Sequence, residues 1–575
     1  MRVLGIHDGH TSTACLVEDG IVKVAVSEER FSKIKGQGGF PVHAIQHILN
    51  QEKISGSDID EIALVGKIKP LESTSEYQSG RQKLFPLIIK FFPFNPRVLV
   101  NLYIKWKERN RLKSKKLIIG LDQLGLKLEK LTVFEHHTTH ASTAYYFSNF
   151  YQKKQKALIF TLDGSGDGLS GSVSLVDENG KWERLRKISS FDSLGVLYSR
   201  TTQLLAMRPW EHEYKLMGMA PYANPIYVTK VCKTFENYLG LTKDGLGLEN
   251  KTRLWGNSLL EQMYKDLKFF RFDSIAGGIQ MFHENITLEL IKNWIHRTGI
   301  KNIGVAGGSF MNIKANKMIL ELPECEELFV MPSCGDESCA LGAALMLYEQ
   351  KKSIIDAKPI AELTNLYWGN QNSETEILEA ISKAKDLLDY KKSEDVDSEA
   401  AALLASHKII ARCSGRMEWG ARSLGNRAIL ANPSRSDNLR KLNIAIKMRD
   451  FWMPFAPSVL WESRKDYAIF HKNEESYFMT LGFDSTDLAK EHLVAALHPY
   501  DQTMRPQFVK KEHNPSYHRL LTKFKEATGI GGVLNTSFNL HGMPIVNSPE
   551  DAIYTLLNSD LDFLILEDYV VWKKK

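Results

Sequence analysis

Cysteine is scarce in this chain: six residues in 575 (Cys15, Cys232, Cys325, Cys334, Cys339 and Cys413), with no CxxC pair among them. So low a density excludes a disulfide framework, and the expected setting is a reduced, cytoplasmic one. A surplus of one charge is lacking as well. The net charge of +6 is slight over this length, and no aromatic/basic stripe accompanies it, so no nucleic-acid partner is expected. Long apolar runs are also missing. The most apolar stretch, Leu84–Lys116, is broken by Pro86, Pro93, Pro96, Lys90 and Arg97. It falls well short of the ~20 apolar residues of a membrane span, so no transmembrane segment is expected. Two readings of it stay open: a buried helical insertion with a solvated basic end, or a surface that meets an apolar small molecule or anionic lipid. The N-terminus, MRVLGIHDGH, enters a strand pattern at once and leaves no room for a signal peptide.

What is present is ordinary globular composition, 43% apolar and 25% charged, over a length that exceeds one core and predicts about two to four domains. Within it, FEHHTTHAS places three histidines in five residues. His136 and His140 are four apart, a spacing that puts both imidazoles on one helix face within reach of a single metal ion, while His137 points elsewhere. The plainer alternative is a polar helix start, because HxxxH alone is half a ligand set.

Two segments repeat one pattern. VLGIHDGHTSTACLVEDGIVKVAVSEER has a β-rich start, a polar glycine loop, a second apolar run, an Asp19-Gly20 turn and a third run. LIFTLDGSGDGLSGSVSLVDENGKWERLRKI repeats that order, with Asp163 opening its loop and Asn179-Gly180 as its turn. Both dipeptides are two-residue hairpin signals, and both loops offer amides and hydroxyls suited to phosphate. Duplicated strand–loop–strand units of this kind resemble the actin/sugar-kinase superfamily, so the fold class expected is α/β with a duplicated actin/sugar-kinase-like N-terminal domain. In IGVAGGSFMNIKANKMI a strand, the Gly307-Gly308 turn and a helix bring backbone close to a ligand, as an adenosine-binding turn of that superfamily does. In LFVMPSCGDESCALGAALM, Asp336 follows a strand, and Ala340, Gly342 and Ala343 behind it suit close helix packing. Asp163 and Asp336 thus occupy equivalent strand-end loops, and with His136 and His140 they would make a mononuclear site for a borderline divalent metal.

After Met346 the motifs fade, and the domains are placed at 1–350 and 362–575 with a linker at 351–361. The remainder holds Arg416, Arg422 and Arg427 among glycines, Lys447 and Arg449 on one side of a strand, Arg505, and an Asn535/Thr536/Ser537/Asn539 cluster. Guanidinium forks with hydroxyl and amide groups suit a polyphosphate, so this half is expected to bind its own nucleotide.

Taken in order, SEERFSKIKGQGGFP, HHTTHAS, TLDGSGDG, EYKLMGMAPYA, AGGSFMN, CGDESCALGAAL, GRMEWGARSLGNRAIL, KMRDFWMPFAPSVL, MRPQFV and LNTSFNLHGMPIV resemble the NodU/CmcH family of O-carbamoyltransferases from Leu4 to Ala552. The resemblance implies a C-terminal YrdC-like α/β domain that makes carbamoyl adenylate from ATP, with Mg2+, and carbamoyl phosphate. Arg422, Lys447, Arg449, Arg505, Asn535 and Ser537 would be its ligands. It implies an N-terminal domain that passes the carbamoyl group to the hydroxyl of a small-molecule acceptor of natural-product or sugar type. There Fe2+, or another divalent metal, would sit on His136, His140, Asp163 and Asp336, nucleotide on Gly307, Gly308 and Asn312, and His10 would take the acceptor's proton. The sequence departs from the family pattern at Thr11, at Trp452-Met453-Pro454, around Arg505 and at Lys35-Gly36, which bears on the adenylate contacts and the proton acceptor. A sugar-kinase-like phosphotransferase leaves the arginine-rich half unexplained. A tRNA threonylcarbamoylation-type protein has only the basic run Lys105–Lys116 and the terminal lysines in its favour. No readable code names the acceptor, and a homodimer stays open.

Overall fold

The computed structural model describes residues 1–73, 108, 111–355, 358–443, 450–472 and 474–574. Lys447, Arg449 and most of the Leu84–Lys116 insertion lie outside them. The chain divides into two compact units, Met1–Glu28 with Gly36–Leu363, and Glu29–Lys35 with Thr364–Lys575.

The first unit contains two five-stranded sheets of one design. In the first sheet, β1 (Arg2–His7), β2 (Thr13–Glu18) and β3 (Ile21–Ser27) form an antiparallel meander, and β4 (Glu61–Val65) and β5 (Leu131–Phe134) extend it in parallel from β1. In the second, β6 (Ala157–Gly166), β7 (Leu169–Val176) and β8 (Trp182–Ser189) repeat the meander. A short ribbon of β9 (Leu239–Leu241) and β10 (Leu248–Asn250) intervenes before β11 (Asn302–Ala306) and β12 (Glu327–Val330) repeat the parallel extension. The orders β3-β2-β1-β4-β5 and β8-β7-β6-β11-β12 correspond strand for strand, so the repeat legible in the sequence is a repeat of topology. The central strands β1 and β6 have neighbours on both sides, and their apolar residues Val3, Leu4, Ile6, Leu158, Ile159 and Phe160 are buried.

The two hairpin turns differ. Asp19 and Gly20 both take positive φ (49° and 79°), the backbone a two-residue turn requires. Asn179-Gly180 instead sits inside a longer connection, Asp177–Lys181. There the Asp177 carboxylate accepts the Asn179 and Lys181 amides at 2.9 Å, and this local turn replaces the tight hairpin expected from the dipeptide.

Four helices position the chemistry of this unit: α1 (His136–Tyr146) after β5, α2 (Phe272–Thr298) before β11, α3 (Ile313–Glu321) between β11 and β12, and α4 (Glu337–Ile355) after β12. α4 packs on α1 and on β1, β2 and β4. The contact is close because a Cβ at Gly342 would stand 2.0 Å from the Thr139 carbonyl oxygen, and one at Gly5 would stand 2.1 Å from that of Ala340. Those glycines clamp α4 between α1 and β1, which brings Asp336, the residue before α4, against the imidazoles of α1.

The second unit is a mixed eight-stranded sheet. Its strands are β13 (Leu388–Lys392), β14 (Ile410–Cys413), β15 (Arg427–Ala431), β16 (Ala456–Leu460), β17 (Gln507–Val509), β18 (Gly532–Ser537), β19 (Phe563–Leu566) and β20 (Tyr569–Lys573). They lie in the order β13-β20-β19-β14-β15-β18-β16-β17. Its core gathers Ile409, Ala411, Ile429, Leu534, Leu556, Leu564 and Val571, all essentially inaccessible. Among the described residues no helix is long and apolar enough to cross a membrane.

Candidate functional site

Glu135 ends β5's run and caps α1. Its carboxylate accepts the amides of His137 and Thr138 at 3.0 and 2.9 Å. Burial works to raise its pKa, but His137 and the Arg184 guanidinium, 2.8 Å away, outweigh burial and hold it at about 2. The cap is therefore an anion at the positive end of the helix. One face of α1 carries His136 and His140, ring centroids 4.7 Å apart, while His137 turns into the core and pairs through Nδ1 with Thr161 Oγ1 at 2.9 Å.

Asp163 is delivered by an irregularity in β6. The register with β7 shifts between Leu162 and Gly166, so Asp163, Gly164 and Ser165 leave the ladder as a bulge. The strand pair then closes on Asp167-Gly168, both at positive φ (51° and 82°). The Asp167 carboxylate accepts three amides, those of His136 (2.8 Å), Lys67 (3.0 Å) and Ile68 (2.9 Å), and so ties the start of α1 to the β6–β7 turn. Gly308 donates its amide to Asp163 Oδ1 at 3.1 Å, an approach in which any Cβ at Gly308 would stand 2.8 Å from that oxygen.

Three segments distant in the chain meet here. His136 Nε2 lies 3.4 Å from Asp163 Oδ2 and 3.5 Å from Asp336 Oδ1, and His140 Nε2 lies 3.5 Å from the same Oδ1. These separations are long for N–H···O hydrogen bonds. They match instead the edge, about 3.3 Å, of a tetrahedron of ligands held at about 2.0 Å from a divalent ion. Both Nε2 atoms are buried without a hydrogen-bond partner among the described residues. His140 is aimed by its other nitrogen, which meets Ser338 Oγ at 3.4 Å. Two imidazoles and two carboxylates fit a borderline divalent ion such as Fe2+ or Zn2+.

The electrostatics agree. Burial opposes charge on His136, yet Asp336, Asp163 and Asp167 outweigh it and raise its pKa to about 10. Asp163 and Asp336, for which burial alone would do the reverse, are both lowered, chiefly by the neighbouring imidazoles. The pocket favours positive charge at Nε2, whether proton or metal cation.

His7 and Cys339 join this cluster and escape the motif reading. His7, buried at the end of β1, has Nε2 3.9 Å from Asp336 Oδ2 and 3.1 Å from the His10 carbonyl oxygen. Burial lowers its pKa to about 4, so it is neutral and donates Nε2–H to that carbonyl. One ligand atom each from His136, His140, Asp336 and Cys339 all lie within 4.8 Å of one another. Burial and the Asp336 charge push the Cys339 thiol well above its ordinary range, with the Thr139 hydroxyl opposing them. The available signals were the i,i+3 spacings His7/His10 and Asp336/Cys339; Asp167, four residues beyond Asp163, was legible only as a turn residue.

His10 itself is half-buried, its ring edge-to-face with Trp210 at 5.4 Å, and its carbonyl accepts both His7 Nε2 and the Thr11 hydroxyl. Gly307 takes φ 99° where a Cβ would stand 2.3 Å from the Leu162 carbonyl oxygen, so the Gly-Gly turn lies against the β6 bulge. Asn312 caps α3 through Oδ1 on the Ala315 amide (3.2 Å) and exchanges two hydrogen bonds with Gln280, so its amide is engaged within the protein.

In the second unit, Asn535 on β18 donates to Ser458 Oγ (2.9 Å) and the Ser423 carbonyl (3.1 Å), while its buried Oδ1 has no hydrogen-bond partner among the described residues. Arg422 precedes Ser423, Arg505 lies two residues before Gln507 of the same network, and Ser537 Oγ bonds Asn539 Oδ1 at 2.7 Å. Arg416 and Arg427, which the sequence groups with Arg422, are directed at backbone: Arg416 Nη2 at the Trp368 carbonyl (2.7 Å), Arg427 Nη1 at that of Gly415 (3.0 Å). They hold the loop rather than present a fork to solvent.

Comparison with known proteins gives two family matches: carbamoyltransferase N-terminus over residues 2–345 and carbamoyltransferase C-terminus over residues 401–573. The chain is 31% identical over 583 residues to nodulation protein NolNO of Sinorhizobium fredii, covering 99% of this chain and 79% of that protein. It is 31% identical over 257 residues to the 3'-hydroxymethylcephem-O-carbamoyltransferase of Streptomyces clavuligerus, covering 43% of this chain and 44% of that protein. Among solved structures, component A of the (R)-2-hydroxyglutaryl-CoA dehydratase of Acidaminococcus fermentans overlaps at a TM-score of 0.33 with 15% identity, over 61% of this chain and 98% of that one. The ROK hexokinase of Thermus thermophilus overlaps at 0.27 with 13% identity, over 60% and 98%. Overlaps that loose bear on neither fold detail nor chemistry.

Proposed function

The chain belongs to the carbamoyltransferase family and is a transferase, and from that premise we propose that it carries a carbamoyl group from carbamoyl phosphate, activated with ATP, to the hydroxyl of a small-molecule acceptor of natural-product or sugar type. The observation that carries the reading is the set of separations of 3.4–3.5 Å among His136, His140, Asp163 and Asp336 at two buried, unpartnered imidazole nitrogens. A phosphotransferase of the kinase type has no use for such a donor set.

In the second unit, water releases phosphate from carbamoyl phosphate, and the carbamate oxygen attacks the α-phosphorus of ATP and expels pyrophosphate, whose charge Mg2+ would neutralise when bound. Arg422, Lys447, Arg449, Arg505, Asn535 and Ser537 are its proposed ligands. The buried Asn535 Oδ1, an acceptor without a partner among the described residues, suits the carbamoyl NH2 of the resulting adenylate. The mixed sheet of this unit is in keeping with a YrdC-like domain at the level of class.

In the first unit, the acceptor oxygen forms a bond to the carbamoyl carbon, the bond from that carbon to the AMP oxygen breaks, and the acceptor's proton passes to His10. His136, His140, Asp163 and Asp336 would hold Fe2+ or another divalent ion, which supplies Lewis-acid polarisation of the carbonyl when bound. Gly307, Gly308 and Asn312 would serve the nucleotide, and the Gly308 amide also aims Asp163. A relative named for O-carbamoylation of a hydroxymethyl group supports an alcohol as acceptor.

The reading is tested without an acceptor. Purified protein with ATP, Mg2+ and carbamoyl phosphate should release pyrophosphate only when carbamoyl phosphate is present. Release should vanish in Lys447→Ala and persist in His136→Ala; ADP in place of pyrophosphate would favour a kinase.

A further inference from the structure

The ligand set implied by family resemblance leaves the buried Cys339 unused. We propose that Cys339 Sγ is a direct ligand of the same ion, adding a thiolate to the His136, His140, Asp163 and Asp336 set; this rests on the metal part of the function proposed above. Asp336 immediately precedes α4 and Cys339 lies in its first turn, three residues on, so the carboxylate and the thiol fall on neighbouring positions of one surface. The four ligand atoms of His136, His140, Asp336 and Cys339 are mutually within 4.8 Å. Ligand–ligand edges of about 3.5 Å follow from bonds of about 2.0 Å to nitrogen and about 2.3 Å to sulfur, so small side-chain rotations bring all four onto one ion. His136 Nε2 and His140 Nε2, both buried and unpartnered among the described residues, are independent pointers to a cation at that place.

Other buried thiols are engaged differently. Cys334 Sγ donates to the Met331 carbonyl at 2.9 Å, and Cys325 Sγ to that of Glu327 at 3.7 Å. On binding, the Cys339 S–H bond breaks, its electron pair becomes the sulfur–metal bond, and the proton leaves to water; nothing is oxidised or reduced. A thiolate ligand favours Zn2+, Fe2+ or Co2+ over Mg2+ or Mn2+.

Co2+ titrated anaerobically into metal-stripped full-length protein distinguishes the outcomes by absorption. The unchanged protein should show visible ligand-field bands together with an intense near-ultraviolet thiolate-to-cobalt charge-transfer band. Cys339→Ser should lose the near-ultraviolet band, keep the visible ones, and bind Zn2+ at least about tenfold more weakly. Cys334→Ser should keep both bands. Ligand-field bands without the charge-transfer band in the unchanged protein, or a band that survives Cys339→Ser, would overturn the assignment. The first of these results needs no variant, so a misfolded Cys339→Ser leaves the question decidable. Failure to take up Co2+ at all would overturn the thiol ligand and the metal reading together, while pyrophosphate release in the second unit would still stand or fall separately.

Discussion

Between β1 and β2 the chain passes through Asp8–Ser12 and brings His7 and His10 to the strand ends. At the equivalent place between β6 and β7 it passes through a bulge and the Asp167-Gly168 turn and brings Asp163 and Asp167. The first copy thus leaves imidazoles at its strand ends, its carboxylate Asp8 being taken up by the Arg111 guanidinium at 2.6 and 2.9 Å, and the second leaves carboxylates. The consequence is visible in two histidines that approach the same carboxylate, Asp336. His7 sees it at 3.9 Å, gives its Nε2–H to a carbonyl, and is dominated by burial, with a pKa near 4. His136 faces Asp336 and Asp163 at 3.5 and 3.4 Å and is raised to about 10 despite its burial. Topology chose the location; the number of carboxylates within reach chose the charge.

The largest effect expected from breaking this contrast is in the second copy's cluster. Asp336→Ala should empty the metal centre, read by elemental analysis, and lower carbamoyl transfer by about a thousandfold, while carbamoyl-phosphate-dependent pyrophosphate release is unchanged. In the first copy, His10→Ala should cost transfer about a hundredfold with metal content intact, so that the two turns separate into a proton role and a ligand role. Equal metal loss in both variants would erase the distinction. Asp167→Ala removes the acceptor of three amides and leaves an alanine at φ 51°, and should lower unfolding free energy by about 3 kcal/mol in urea titration. Asp167→Asn, which tolerates that backbone and keeps one acceptor oxygen, should cost less.

The smallest effect is the pH dependence of the metal-stripped protein. His7 has a folded pKa of about 4, below its unfolded value, so the unfolded chain takes the proton first and stability falls as pH drops from about 6.5 toward 4. For His136, raised to about 10, the contribution is complete below about 6.5 and is lost as pH rises through 10. His7→Gln should flatten the acid limb and His136→Gln the alkaline limb, each by on the order of 2 kcal/mol, in melts recorded across pH. Limbs unchanged by either substitution would show that these two imidazoles do not set the titration.

Much of the site was legible because its signals are local. The four-residue spacing of His136 and His140 needs only helix periodicity to become one face, and Asp19-Gly20 needs only its own backbone to become a turn. Ala340, Gly342 and Ala343 announced a close helix contact, and α4 makes it. Other readings failed where a neighbour outbid the local preference. Asp177 captures two amides and draws Asn179-Gly180 into a longer loop. Arg416 and Arg427, fork-like beside glycines, are taken up by backbone carbonyls of their own loop. No motif marked the β6 bulge that releases Asp163, since a bulge is a mismatch between two strands and neither strand records it alone.

The sequence by itself determined the family, the duplicated strand–turn–strand pattern and the candidate cation ligands, because each is written in short-range spacing and residue type. Only the tertiary structure decided which of them meet. His7 and Cys339 entered the cluster because glycine contacts at Gly5 and Gly342 draw β1, α1 and α4 together, and Asp167 because Gly166 lets the β6–β7 turn lie against the His136 ring; the opposite charging of His7 and His136 follows from how many carboxylates that approach leaves within reach of each buried ring.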